Sequence, residues 1–234
     1  MRVFRRIDHS PSLFIRRTVS AQIHTFALLL ICVGMAVLLP RAREVGWSHF
    51  WACLVFLATG FLLFLTSSAY HFLHDGYEIS SRLAVFLEDL DHYCIYLFIA
   101  GTYTPVLLNA VENPWRRYVL VSIWAIAVAG ILYTRVKPYL FPVLRSRMVY
   151  TGLFVVMGSL LAVRAGEIYR KISALQACLV MGGVVAYWLG AIGYATRRPV
   201  LAAGWFGYHE LWHCMVLLGA TLHFLFVFSF YASF

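Results

Sequence analysis

The stretch that decides the fold is the last apolar segment, residues 208–230, which reads YHELWHCMVLLGATLHFLFVFSF. An apolar helix of about 20 residues is long enough to cross a bilayer. His209 and His213 stand four positions apart at its start, so a helix places both imidazoles on one face. That spacing lets one helix offer two ligands to a zinc ion. The alternative is that two histidines simply end a membrane helix at the lipid–water interface.

The composition is that of a membrane protein. The chain has 234 residues, of which 62% are hydrophobic and only 12% charged, whereas soluble domains usually carry about 25% charged residues. We therefore expect a multi-pass protein of the plasma (inner) membrane, with membrane lipids as its surroundings. The net charge of +9 does not indicate a nucleic-acid partner, because the basic residues are dispersed between apolar runs, where they act as topology signals.

Seven apolar segments of membrane-spanning length predict an all-α integral membrane protein built as a seven-helix bundle. They cover residues 23–39, 49–71, 87–108, 115–134, 148–163, 174–195 and 208–230. Residues 1–22 are predicted to be a basic interfacial segment, and residues 23–234 the seven-helix transmembrane domain. Pro40 is expected to end the first span.

The distribution of basic residues predicts the orientation. If the N-terminus is cytoplasmic, twelve of the 19 lysines and arginines fall in cytoplasmic segments. The positive-inside rule then favours a cytoplasmic N-terminus and an outside C-terminus. In that orientation the end of the second span and the starts of the third and seventh spans meet the same membrane face.

Polar residues collect at that face. Ser67 and His71 are four apart near the end of the second span, and five of the ten acidic residues lie between positions 75 and 91. A solvated acidic loop accounts for Asp75, Glu78, Glu88 and Asp89. Asp91 differs, because an apolar run follows it at once and draws it into the membrane edge, where it needs a partner.

These residues predict an open metal site. His71, His209 and His213 would supply three ligands and leave one position free, as in a catalytic zinc centre. Asp91 would hold the metal's water and take its proton.

Other candidates for the site rank lower. His74 is an alternative to His71, and His24 either joins the cluster or is an interfacial residue. Glu210 completes a His-Glu-x-x-His pattern but lies one residue off the histidine face. His223, deeper in the last span, is expected to make an interhelical hydrogen bond.

Three blocks of sequence resemble the haemolysin III family, the bacterial branch of the progestin and adipoQ receptor superfamily. They are Ser67-Ser68-Ala69-Tyr70-His71, Leu90-Asp91-His92 with residues 99–105, and His209-Glu210-Leu211-Trp212-His213 with Val216-Leu217-Leu218-Gly219. The expected first-helix motif is eroded here to residues 20–25, Ser-Ala-Gln-Ile-His-Thr. The segment between His71 and Asp91 is also a few residues longer than the family pattern.

The resemblance implies seven helices with the N-terminus inside, and zinc held by His71, His209 and His213. It places Asp91, and with it Ser67, beside the metal's water as catalytic residues. It also implies kinship with alkaline ceramidases, which hydrolyse a lipid amide.

Three functions are open at this point. The first is a zinc-dependent hydrolase of a lipid amide or ester. The second is a receptor-like or membrane-homeostasis protein in which the zinc is structural. The third is a channel or cytolytic protein, as the family name suggests. The third ranks last because the polar residues gather at one edge, whereas a pore needs them along several spans. An intramembrane protease would need a later aspartate ligand, which no segment after residue 230 supplies.

Overall fold

The structure, a computed structural model, describes residues 18–77, 79–136, 139, 146–202 and 205–232. The predicted interfacial segment, residues 1–22, lies mostly outside the described residues. Within the described ranges the chain is helical and forms no strand, apart from a single bridge between Ala202 and Phe206.

Eight α-helices follow one another along the described chain. They are α1 (Val19–Val45), α2 (Trp47–Gly76), α3 (Ser81–Ala110), α4 (Trp115–Val136), α5 (Arg147–Gly158), α6 (Ala165–Tyr169), α7 (Ala174–Thr196) and α8 (Tyr208–Ser229). A 3₁₀ turn, Leu160–Arg164, joins α5 to α6. In the described part of the chain, six segments are long and apolar enough to span a membrane: α1, α2, α4, Arg147–Tyr169, α7 and α8. The protein is therefore an integral multi-pass membrane protein.

The helices extend beyond the spans predicted from hydropathy. Pro40 does not end α1, which continues to Val45. A proline removes one backbone hydrogen bond, and membrane helices tolerate this loss when neighbouring groups compensate. Nearby, the Arg41 guanidinium donates to the Val37 carbonyl at 3.2 Å. Gly46 alone links α1 to α2 at φ +154°, a backbone conformation that glycine adopts readily.

The fifth predicted span is broken rather than continuous. α5 ends at Gly158, and the chain tightens into the 3₁₀ turn before α6 completes the segment. The Ser159 hydroxyl donates to the Val155 carbonyl at 2.7 Å, so a side chain competes for a helical acceptor where the helix ends.

The bundle has two packed regions. One core cluster joins α1, α2, α3 and α8 around Phe56, Phe64 and Phe226, and the other joins α3, α4 and α5 around Tyr96 and Ile123. α7 packs along α8, and α5 packs against α7. Large apolar side chains such as Phe26, Leu29 and Val33 point outward, as lipid contact requires. Six helices thus surround the predicted metal site: α1, α2, α3, α5, α7 and α8. α4 packs on the outer side of α3.

Candidate metal centre

Three histidines from two helices meet at one end of the bundle, here called the triad end. His71 lies in the last turns of α2, and His209 and His213 lie in the first turns of α8. Their ring centroids are 4.8 Å apart for His71–His209, 4.7 Å for His71–His213 and 4.6 Å for His209–His213. One ligand nitrogen from each lies within 4.8 Å of the other two. The three residues are thus close enough to hold a metal ion.

In each histidine of the triad, the Nδ1 atom contacts a side chain outside the triad. Nδ1 of His71 donates to Oδ2 of Asp75 at 3.0 Å. Nδ1 of His209 is 3.5 Å from the Ser20 hydroxyl, and Nδ1 of His213 is 2.9 Å from Nε2 of His24. Metal-binding histidines characteristically use the second ring nitrogen in this way, which fixes the ring orientation and the tautomer.

The unpaired atoms of the site suit a cation. Nε2 of His213 and the Ser67 hydroxyl are both buried and have no hydrogen-bond partner among the described residues. An unpaired buried polar atom costs free energy, and a metal ion held by the triad would give the His213 nitrogen its partner. Three imidazoles with one open position are also a donor set that zinc accepts. The residues present therefore fit the metal that the sequence predicts.

Two cavities meet at the triad. The first, here called the vestibule, opens beside His71, His209 and His213 and has a volume of about 150 Å³. Its wall also carries three carboxylates, Asp75, Glu88 and Asp91, together with aromatic side chains. The described vestibule wall contains no lysine and no arginine.

The second cavity, here called the apolar cavity, runs from His213 towards His223 and has a volume of about 100 Å³. Its walls come from α2, α3, α5, α7 and α8 and are mostly apolar, with His24 of α1 at the triad end. Asp91, Ile95, Phe154, Trp212 and His213 line both cavities. The triad therefore stands at the boundary between a polar and an apolar space.

Asp91 and Ser67 reach this boundary from different helices. Asp91, on α3, is 9% exposed and lines both cavities, whereas Ser67, on α2 one turn before His71, is 1% exposed and lines the apolar cavity. The triad, Asp91 and Ser67 thus line two adjoining cavities, while the catalytic roles of Asp91 and Ser67 stay predictions.

Glu210 has a structural position. Its Oε2 accepts from the Gly207 backbone N–H at 2.8 Å at the start of α8, and its Oε1 accepts from the Ser20 hydroxyl at 3.3 Å. Both carboxylate oxygens are thus engaged, which agrees with ranking Glu210 below Asp91. His223 makes the predicted interhelical bond, because its Nε2 donates to the Val180 carbonyl of α7 at 3.3 Å.

The placement of Asp75 in a solvated loop is wrong. α2 continues to Gly76, so Asp75 lies one turn beyond His71 and binds its ring. His71 and Asp75 are four positions apart, a spacing that places them together on a helix. The predicted second span ends at His71, so it does not include this pair. His74 is 48% exposed in its side chain; its Nδ1 binds the other oxygen of Asp75, and its ring lies 5.2 Å from the ring of Tyr70. Glu78 lies outside the described residues.

The sequence alone does not select Ser20 as a site residue, and it leaves His24 either in the cluster or at the lipid–water interface. Both lie on α1 one turn apart, and they meet His209 and His213, which are also one turn apart on α8. His24 therefore belongs to the site.

The fold and the triad together define a class: multi-pass helical membrane proteins with a histidine cluster that can bind a metal ion at one end of the bundle. Comparison with known proteins agrees. The profile of the haemolysin-III related family matches residues 13–224. The chain therefore belongs to the haemolysin III family.

Two relatives give the scale of the similarity. Hemolysin-3 of Bacillus cereus is 29% identical over 204 residues, which cover 86% of this chain and 85% of that protein. The Hemolysin-3 homolog of Bacillus subtilis (strain 168) is also 29% identical over 204 residues, covering 86% and 87% of the two chains. The chain is similar to both along nearly its whole length.

Proposed function

We propose that this protein is a zinc-dependent hydrolase of a lipid amide or ester. The observation that carries the proposal is the position of the triad between the vestibule and the apolar cavity. A lipid has the same division, with a polar group next to a long apolar chain. Its carbonyl would reach the triad while its hydrocarbon lies in the apolar cavity.

The residues of the triad would hold zinc through their Nε2 atoms, because each Nδ1 has another partner. Bound zinc would act as a Lewis acid on the carbonyl and make a water molecule acidic enough to lose its proton near neutral pH. Asp91 would accept that proton and return it to the departing amine or alcohol. The Ser67 hydroxyl, which has no hydrogen-bond partner in the described part of the chain, is available to position the substrate's polar atoms.

The charge of the vestibule wall restricts which lipid polar groups can bind there. Three carboxylates and the absence of lysine and arginine from the described wall are unfavourable for an anionic phosphate group. We therefore propose a lipid with a neutral or cationic polar group rather than a phospholipid.

The hydrolase proposal also requires that the chain crosses the membrane seven times. Six crossings are the apolar segments named above, and α3 would be the additional one. α3 carries Asp91 at the triad end, while Asn109 near its other end donates to the Tyr231 hydroxyl at 2.8 Å. Tyr231 follows the last turn of α8, so α3 extends along the length of α8. Seven crossings would place the two termini on opposite sides, and the excess of basic residues in the segments on the N-terminal side supports a cytoplasmic N-terminus and triad end with an outside C-terminus.

Lipid turnover by the purified protein tests the proposal. We expect cleavage of an N-acyl amide or an acylglycerol ester that stops with a chelator and returns with Zn²⁺, and little cleavage of a phospholipid. His209→Ala should lower turnover by roughly a thousandfold, since the metal supplies several kcal/mol of transition-state stabilisation. His49→Ala, a histidine at the opposite end bound to Tyr231, is the matched control.

Two results would contradict the proposal. One is turnover that His209→Ala leaves unchanged. The other is bound metal whose removal lowers thermal stability while no lipid is consumed in any condition, which would assign the metal a structural role. Cytolysis is less well supported, because the cavity beyond the triad is mostly apolar and offers ions no continuous polar path.

A further inference from the structure

We propose that α1 is the supporting helix of the metal centre and that His24 is its main positioning residue, acting through His213. This inference rests on the proposed metal site and extends it to a helix that contributes no ligand. The sequence left His24 between two interpretations, and the hydrolytic mechanism does not use it.

The contact between His24 and His213 is short and fully enclosed. Nε2 of His24 lies 2.9 Å from Nδ1 of His213, and both residues are 3% exposed. The two rings are nearly perpendicular, with centroids 4.2 Å apart, and Phe64 packs against the His24 ring at 5.3 Å. The hydrogen bond and the ring of Phe64 therefore restrain the two imidazoles where they border the apolar cavity.

The hydrogen bond selects one tautomer of His213. If Nε2 of His213 is the metal ligand, the proton of that ring must be on Nδ1. Nδ1–H then donates to Nε2 of His24, which accepts as a neutral imidazole. The proton of His24 is consequently on its own Nδ1, which is buried and has no partner among the residues described. A histidine kept here at that cost is better explained by its contact with the ligand than by its own packing.

A second pair on the same two helices makes α1 a support for both α8 ligands. Ser20 lies one turn before His24, and its hydroxyl is 3.5 Å from Nδ1 of His209. The same hydroxyl donates to Glu210, which is fixed at the start of α8. α1 and α8 thus run side by side in matching register, with two polar residues on α1 facing two histidines on α8.

Metal affinity of the purified full chain, measured with Zn²⁺ by competition against a chelator, tests this role. Loss of an outer partner of a metal ligand typically weakens binding by about 10–100-fold. We expect that loss for His24→Leu, which fills the space and cannot accept a hydrogen bond. His24→Gln places its amide near the former position of Nε2 and should bind Zn²⁺ more tightly than His24→Leu. The visible spectrum of the Co²⁺-loaded protein should change in His24→Leu and stay closer to wild type in His24→Gln.

His223→Leu is the matched control, because His223 is also a histidine of the apolar cavity with one hydrogen bond to another helix, yet it does not touch the triad. It should keep wild-type Zn²⁺ affinity. If His24→Leu does not fold, His24→Asn replaces it, since the shorter amide cannot reach His213 and should lose affinity relative to His24→Gln.

Equal Zn²⁺ affinity in wild type, His24→Leu and His24→Asn would overturn the role of His24, and so would an equal loss in His223→Leu. Failure of the metal site itself gives a different result. In that case wild type and His71→Ala bind the same amount of Zn²⁺, and the premise falls together with the role of His24.

Discussion

Asp75 shows how one side chain can decide the chemistry of its neighbour. Its carboxylate holds His71 through one oxygen and His74 through the other. A carboxylate on Nδ1 orients the imidazole and makes its other nitrogen a better ligand. The three histidines of the triad thus have unlike partners on Nδ1: a carboxylate for His71, a hydroxyl for His209 and an imidazole for His213.

Asp75→Asn tests the carboxylate at the residue scale. The amide can still accept from His71 but has lost its negative charge, so we expect Zn²⁺ affinity to fall by about 10-fold. Asp89→Asn is the control, because Asp89 belongs to the same acidic stretch and lies outside the wall of the vestibule. Chelator competition measures both, and equal affinities would show that the carboxylate charge at position 75 is unimportant.

The meeting of the three histidines could be predicted from the sequence because spacing within one helix fixes the relative direction of its side chains. Ser67 with His71 and His209 with His213 are each four apart, and both pairs reach the triad. The contacts between helices could not be predicted in this way. His24 and His213 are separated by 189 positions. The sequence around either residue does not show which helices pack against each other.

At the scale of elements, hydropathy located six segments that are able to span the membrane and misplaced their ends, while the seventh predicted span, in α3, stays a prediction. An apolar run marks the hydrocarbon core, but a helix continues past it for as long as its backbone bonds are satisfied. α1 and α2 therefore carry polar ends, and the end of α2 is where Asp75 lies. The break after Gly158 was also not expected, because residues 148–163 contain no charged residue and their mean character is apolar despite Thr151 and Ser159.

Close packing of α4 against α3 depends on Gly130. A methyl group there would lie 2.3 Å from the ring of Tyr96, which is 1% exposed and cannot move aside. We expect Gly130→Ala to lower the free energy of unfolding by about 1–3 kcal/mol, because the clash outweighs the higher helix propensity of alanine.

Thermal unfolding in detergent measures this effect. Gly152→Ala on α5 is the control, since no atom lies within 4 Å of the added methyl, and its stability should be unchanged or slightly higher. A Gly130→Ala protein as stable as Gly152→Ala would mean that α4 and α3 are packed less closely than described.

For the whole molecule, the number of crossings decides where the ends of the chain lie. Seven crossings place the termini on opposite sides, and six place them on the same side. Six apolar segments are able to cross the membrane, so the count depends on whether α3 crosses it as well. α3 carries Asp91 and Asn109 near its two ends.

Protease treatment of spheroplasts that carry terminal epitope tags distinguishes the two counts. We expect a C-terminal tag to be digested and an N-terminal tag to be protected until the membrane is opened, as the positive-inside rule requires for twelve of 19 basic residues. Two tags with the same sensitivity would exclude seven crossings. The reverse pattern would keep seven crossings and place the triad end outside.

The bond between His24 and His213 also has a consequence for biosynthesis. It joins the first and the last of the described helices, which leave the ribosome at opposite ends of translation. Until α8 is inserted, Ser20 and His24 lack their partners His209 and His213, and His71 is the one member of the triad in place. The nascent chain therefore cannot assemble the triad before α8 is in place. Chains that stop before α8 would lack two of the three histidines of the triad, so the site could not form in them.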